Sequence, residues 1–342
     1  MSSTRDPARI RLLVLTNMYP SERRPVFGSF VRDQVESLRP LGVDPHVEFI
    51  DGRTSTAQYL LAAPRVRRAA RGPFDLVHAH YGLTGAIAVL QRRLPVVITY
   101  HGDDLLGTPA RGGGFTARSR VARALSLWAA PRARSVIVVS RRLLGALPEG
   151  PVRDCAHVVP LGIDHAVFRS LPREEACRTL GLDPARRRIL FAADPASPGK
   201  RFALARAAAE IVGRGDPTVD LHVVHGRPPG TIPLEMNACD VLVLTSISEG
   251  SPMVVKEALA CNLPIVSVDV GDVAERIHGV VGCRIVPPDA ATIAQSISEI
   301  LASGSRSDGR RAVEALSLPR VAERLVEIYR GAIGDARRGR RA

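Results

Sequence analysis

The sequence predicts an α/β protein of two parallel-sheet domains, and three observations carry that reading. Its 342 residues are more than one core usually supports, so two domains of about 150 residues each are expected. The run Ile10–Thr16, IRLLVLT, is apolar almost throughout, as suits a parallel strand covered on both faces. Strand-like and helix-like stretches alternate through the first half, and the alternation starts again near residue 188.

In order, Ile10–Thr16 feeds the loop NMYPSERRPVFG at 17–28 and a helix over 29–38. Gly28, just ahead of that helix, offers close backbone approach to a ligand. A strand at 46–50 and a helix at 57–70 follow, the helix carrying Arg65, Arg67 and Arg68, with Arg71 just beyond. Next come the strand Leu76–His80, a helix over 86–92 and the strand Val96–Tyr100. The last runs into His101-Gly102-Asp103-Asp104, and a His at the carboxyl end of a strand sits where open α/β sheets bind ligands. A helix at 119–130 sets Val121, Leu125 and Trp128 on one face, with Arg118, Arg120 and Arg123 near it. The strand 136–140 ends in Ser140, a cap for the next helix.

The second half opens with a strand at 188–193, a helix at 202–214, a strand at 220–225 and the helix Ile232–Ala238. Between the first two lies Pro198-Gly199-Lys200-Arg201. Lysine occurs only at 200 and 256, against 45 arginines, so Lys200 in a loop at a strand's carboxyl end marks a place that wants a compact ammonium. Lys256 is expected on a solvated helix face.

The stretch 241–277 organises this half. Val241–Leu244 is a strand, 245–250 a polar turn, Ser251 an N-cap and Pro252 the first helical position. A helix over 253–261 follows, stopped by Asn262-Leu263-Pro264, and a strand at 265–268 comes next. The helix start, Gly250, Ser251, Pro252, Met253 and Val254, suits a phosphate group through its free amides and partial positive charge. Glu249 and Glu257 bracket it. Amides that take phosphate, beside carboxylates that accept from hydroxyls, describe a ligand with a diphosphate between hydroxylated rings, and a nucleotide sugar is such a ligand. A strand at 283–286, a helix at 291–303 and an amphipathic helix at 318–333 complete the chain, with 337–342 expected to fray.

Composition narrows the partners. Net charge is +13, and residues 1–170 hold 24 Arg against 13 Asp and Glu, while the rest is nearly balanced. A basic first half suits an anionic partner such as an anionic membrane surface. Nucleic acid is disfavoured by 4% aromatic content and by the lack of a helix-turn-helix, zinc-finger or RNP pattern. Five widely spaced cysteines read as reduced thiols. No apolar run approaches the roughly 18 residues that span a bilayer, and the start MSSTRDPARI has no apolar leader core, so a cytoplasmic protein is expected. Asp194 stands where a Walker loop needs its first Gly, the first strand lacks G-x-G-x-x-G, and no G-x-S-x-G occurs.

Glu249…Glu257 within SEGSPMVVKEALACNLPIV resembles the E-x7-E signature of retaining glycosyltransferases of family 4, which have the two-domain GT-B fold. HAHYG at 78–82 and HGDD at 101–104 resemble that family's first-domain motifs, and VVPLGIDHAVF at 158–168 its entry into the second domain. The resemblance implies two doubly wound, Rossmann-like domains facing a cleft. The first, 1–165, is the acceptor side; the second, 166–317, binds a nucleotide-sugar donor; a helix at 318–336 returns to the first. It implies a metal-independent hexosyltransferase with no cofactor beyond its co-substrate, acting on a lipid-linked or cell-surface glycan precursor, peripherally at the inner membrane face. Lys200 matches the family's phosphate-binding lysine. The Arg that usually precedes it is replaced by Ala192-Ala193-Asp194-Pro195, leaving Arg201 or Arg227 as substitutes. Glu257 is assigned the ribose, Glu249 the transferred sugar, His101, Glu249 and Lys200 the catalysis, and His101 with Asp104 the acceptor side. A GT-B nucleotide-sugar epimerase and a non-catalytic sugar-nucleotide-binding partner of a membrane assembly stay open as alternatives.

Overall fold

The computed structural model describes residues 9–22, 24–52, 54–108 and 114–338. The chain forms two compact units, one comprising the chain up to Gly162 together with everything from Leu318, the other Ile163–Ser317.

The first unit holds a six-stranded sheet of β1 (Ile10–Thr16), β2 (Val43–Phe49), β3 (Leu76–His80), β4 (Val96–Tyr100), β5 (Ser135–Val138) and β6 (His157–Val158), ordered β2-β1-β3-β4-β5-β6. Every pairing is parallel. β3 and β4 are buried at every position, which is why they read as unbroken apolar runs. β2 begins three residues ahead of the expected strand and contains Pro45. It lies at the sheet's edge, where a missing ladder donor is tolerated. The helix expected at 86–92 is Gly82–Ala88. Gly82 and Gly85, which look like loop residues, are what let it pack: a Cβ on Gly82 would lie 2.0 Å from the Ser126 hydroxyl, and one on Gly85 2.8 Å from Ile98.

The last helix, Leu318–Arg338, belongs to this unit. It buries Val321, Leu325, Ile328, Tyr329 and Ala332 as one stripe, packed in a single core with Leu12, Val14, Val31, Val35, Leu76 and Val97. Regular helix reaches Arg338, so Arg337 is not frayed as expected; residues 339–342 and the leader-region residues 1–8 lie outside the described residues.

The second unit holds β7 (Arg187–Phe191), β8 (Val219–Val223), β9 (Val241–Leu244), β10 (Ile265–Ser267) and β11 (Cys283–Ile285), ordered β11-β10-β9-β7-β8 and again all parallel. Helices Phe202–Gly215 and Ala290–Ser303 share one core with the sheet, and Met253–Ala260 lies in another. A helix at Arg173–Leu180, which the sequence reading left out, buries only Ala176 and Cys177. The chain enters and leaves this unit side by side: the Ile163 N–H donates to the Leu316 carbonyl at 2.8 Å. That places the junction three residues before the expected 165.

Candidate active site

In the second sheet the strand order reverses between β7 and β9, and at such a point the two following loops diverge and leave a crevice at the carboxyl edge. Lys200 follows β7 and Glu249 follows β9. Lys200 Nζ donates to Glu249 Oε1 at 2.5 Å, with the lysine side chain 35% exposed and the glutamate 15%.

The two loops are tied together along their length. The Ile247 N–H donates to the Gly199 carbonyl at 2.8 Å, and the Thr245 hydroxyl to the Lys200 carbonyl at 2.8 Å. Arg201, in left-handed backbone at φ 49°, donates from Nε to the Thr245 carbonyl at 2.6 Å and from Nη2 to the Ser246 carbonyl at 3.0 Å. Its guanidinium therefore braces the loops that present Lys200 and Glu249. Arg227, after the edge strand β8, has its Nε 3.9 Å from a carboxylate oxygen of Glu235.

The helix Met253–Ala260 starts with Pro252 as its cap and no side chain on its first amides. Ser251 is not the cap expected of it. Its hydroxyl turns away and donates to Asp272 at 2.8 Å, so the terminus stays open. Met253, Val254 and Glu257 form the half-buried face, while Val255, Lys256, Ala258, Leu259 and Ala260 are buried. Lys256 is thus a correction: in place of a solvated residue the structure has a side chain with 0% exposure. Burial lowers its pKa to about 8, with the Asp272 charge acting upward and Arg276 downward.

Gly271 and Asp272 were missed by the sequence reading. Gly271, at φ 56°, lies where a Cβ would be 3.0 Å from the Gly250 carbonyl and 3.2 Å from that of Glu249, so the segment after β10 holds the Glu249 loop in place. The available signal was the Gly-Asp pair that follows a predicted strand after two intervening residues.

In the first unit the order reverses between β1 and β3. Gly28, at φ 73°, packs so tightly on the loop after β1 that a Cβ would lie 2.3 Å from the Met18 carbonyl carbon. Here close approach serves the protein's own backbone. His80, at the end of β3, and His101, after β4, meet at 3.2 Å between Nδ1 and Nε2 with their rings stacked. Phe30 lies against His101, with ring centroids 5.4 Å apart. Behind them His78 joins the Tyr329 hydroxyl and the Thr99 hydroxyl, each at 2.7 Å. Burial drives the His80 pKa down to about 3, and that of His78 well below its usual value, so both are neutral imidazoles at ordinary pH.

Asp104 departs from its expected place on the acceptor side. It is 1% exposed, and it accepts from the amides of His101, Gly102 and Gly82. It shapes the turn that presents His101. Burial raises its pKa to about 6 against the pull of those amides.

A model described as Glycosyltransferase Family 4 matches residues 8–167, and one described as Glycosyl transferases group 1 matches residues 200–303. The glycosyltransferase TuaC of Bacillus subtilis, whose name assigns it to teichuronic acid biosynthesis, is 28% identical over 84% of this chain and 88% of its own. A D-inositol 3-phosphate glycosyltransferase of Catenulispora acidiphila is 27% identical over 78% of this chain and 75% of its own. Among solved structures, a sucrose-phosphate synthase from Thermosynechococcus elongatus superposes with a TM-score of 0.78 at 17% identity, covering 96% of this chain and all of its own. Anabaena HepE in complex with UDP-glucose superposes with a TM-score of 0.67 at 19% identity, covering 94% of this chain and all of its own.

Proposed function

The chain belongs to the family 4 glycosyltransferases of GT-B fold, and from that premise we propose that it is a retaining enzyme that moves a sugar from a nucleotide-sugar donor to a glycan or lipid-linked acceptor. The observation that carries the donor reading is the Lys200–Glu249 pair at the switch point of the second sheet, beside an uncapped helix N-terminus. In this reading Lys200 and the amides of the first helical turn hold the diphosphate. Glu257, on the half-buried face one turn in, takes the ribose hydroxyls. Glu249 orients the ammonium it already holds and meets the transferred sugar.

The donor's bond to the sugar breaks with negative charge growing on the leaving diphosphate. Fixed donors at that position lower the barrier without having to reorganise. One ammonium with a set of amides supplies this neutralisation from the chain itself, which supports a metal-independent reaction. His101, held by His80 and by the turn around Asp104, is assigned to the acceptor side in the first unit.

The acceptor class is supported by the relative named for teichuronic acid biosynthesis and by the surface of the first unit. Val121, Leu125 and Trp128 are 59%, 43% and 39% exposed, and Arg65, Arg67, Arg68 and Arg71 line one open groove. Exposed apolar side chains and clustered arginines, both on the first unit, suit an anionic bilayer, where a lipid-linked acceptor resides.

A thermal-shift screen of UDP-, GDP- and ADP-sugars, followed by transfer assays with the donor that binds, tests the function. Stabilisation by one nucleotide class, with sugar transferred to a lipid-linked acceptor in the presence of EDTA, is expected. Release of free sugar whatever the acceptor would overturn transfer, and loss of activity in EDTA would overturn metal independence.

A further inference from the structure

Lys256 is among the largest fully buried side chains of the molecule, and the reaction outlined above makes no use of it. A buried ammonium is costly unless it is paired and hydrogen-bonded. A side chain on a helix leans toward the N-terminus, and Lys256 does so: its Nζ reaches the thioether of Met253, one turn earlier, at 4.0 Å. A thioether is a weak acceptor, so this contact does little to discharge the ammonium.

The charged groups acting on it are few. Asp272 and Arg276 come from the segment after β10, and Glu257 from its own helix. Asp272 is itself buried; it accepts from Ser251 and lies 3.3 Å from Arg276 Nε, while Arg276 Nη2 pairs with exposed Glu275. The neighbouring strands β9 and β10, VLVL and IVS, bring no titratable side chain. Arg310 meets the helix only at its far end, through the Ala260 carbonyl. Lys256 and Arg276, with the carboxylates of Asp272, Glu257 and Glu275 about them, thus lie at a helix start that has no capping side chain.

We propose that Lys256 is a buried support for the bound diphosphate, its ammonium adding positive potential beneath the first turn of Met253–Ala260 while Asp272 fixes Ser251 at the same turn. This rests on the donor reading above and extends it.

The consequence is a pH dependence of a definite sign. Burial sets the Lys256 pKa at about 8, so the ammonium is present at neutral pH and is lost as pH rises through that value. A diphosphate that is favoured by the ammonium must in turn favour the ammonium, so its affinity falls as the proton leaves.

The test is calorimetric titration with UDP, GDP and ADP at pH 7, then of the tightest of them from pH 7 to pH 9, on the wild-type chain, Lys256→Arg and Lys256→Met. Wild-type affinity is expected to fall roughly tenfold for each unit by which the ligand raises the ammonium's pKa. Lys256→Arg keeps its charge throughout and is expected to stay flat, while Lys256→Met is expected to be weak at pH 7 and flat. Titration of the nucleotide itself is common to all three proteins and cancels. If Lys256→Met leaves Asp272 too poorly compensated to fold, the wild-type and Arg profiles decide. A flat wild-type profile, or parallel profiles in wild type and variants, overturns the proposal while the donor reading stands. No binding of any nucleotide to the wild-type chain overturns both.

Discussion

Lys200 and Glu249 are 49 residues apart in sequence and 2.5 Å apart in the fold, joined across the one place in the second sheet where the strand order reverses. The ion pair is already formed in the chain by itself. Assigning the lysine to phosphate and the glutamate to sugar therefore describes two ends of one coupled unit.

Lys200→Ala is expected to weaken nucleoside diphosphate by roughly 1.5–3 kcal/mol, the cost of losing a charged hydrogen-bond partner. Because Glu249 orients that ammonium, Glu249→Gln should also lose part of the diphosphate affinity. The double variant should fall short of the sum by about 0.5–3 kcal/mol. Calorimetry on the four proteins measures this, and strict additivity would mean the pair acts as two separate contacts.

Glu257→Gln should raise KM and weaken nucleoside diphosphate and sugar donor alike, with kcat little changed, because a ribose contact is the same in ground and transition states. Glu249→Gln should lower kcat as well if it meets, as proposed, the sugar on which charge develops. Steady-state kinetics with the two variants separates these roles, and the opposite split would reverse the assignment.

Asp104 titrates in the fold at about 6, above its usual value, because burial disfavours its charge. A raised carboxyl pKa means that the folded chain binds the extra proton between about pH 4 and pH 6, so this group favours folding at low pH and loses that contribution as pH rises. Asp104→Asn removes the titration. The stability of wild type relative to Asp104→Asn should therefore increase on going from pH 7 to pH 4, by on the order of 3 kcal/mol. Urea unfolding of both proteins across that range checks the sign.

The apolar face of the helix Ala117–Ala129 and the nearby arginines should bind anionic vesicles, at about 1 kcal/mol per basic residue near the surface, and release them in salt. Sedimentation with anionic and neutral vesicles at low and high salt reads this out. Replacing Val121, Leu125 and Trp128 by serine should reduce the bound fraction, and equal recovery with neutral vesicles would remove the idea.

Much of the fold was legible in the chain because local chemistry dictates it. Buried parallel strands need unbroken apolar runs, and β1, β3, β4 and β9 show them with the predicted bounds. Proline in β2 and glycines in Gly82–Ala88 blurred those elements, since neither an edge position nor a close helix contact is visible in a linear pattern.

At the site, the sequence by itself singled out the candidates: Lys200, Glu249 and His101 by type and position after strands, and Glu257 by its spacing from Glu249 on a helix. Tertiary structure alone decided what each of them touches. Lys200 paired with Glu249, Ser251 turned to Asp272, Arg201 spanned two carbonyls, and Lys256 went inward. The reason is physical. Where a side chain goes on an eight-residue helix depends on which faces the sheet and the neighbouring segment cover. That cover comes from β10 and from Gly271 and Asp272, which reach the Glu249 loop only once the strands have paired.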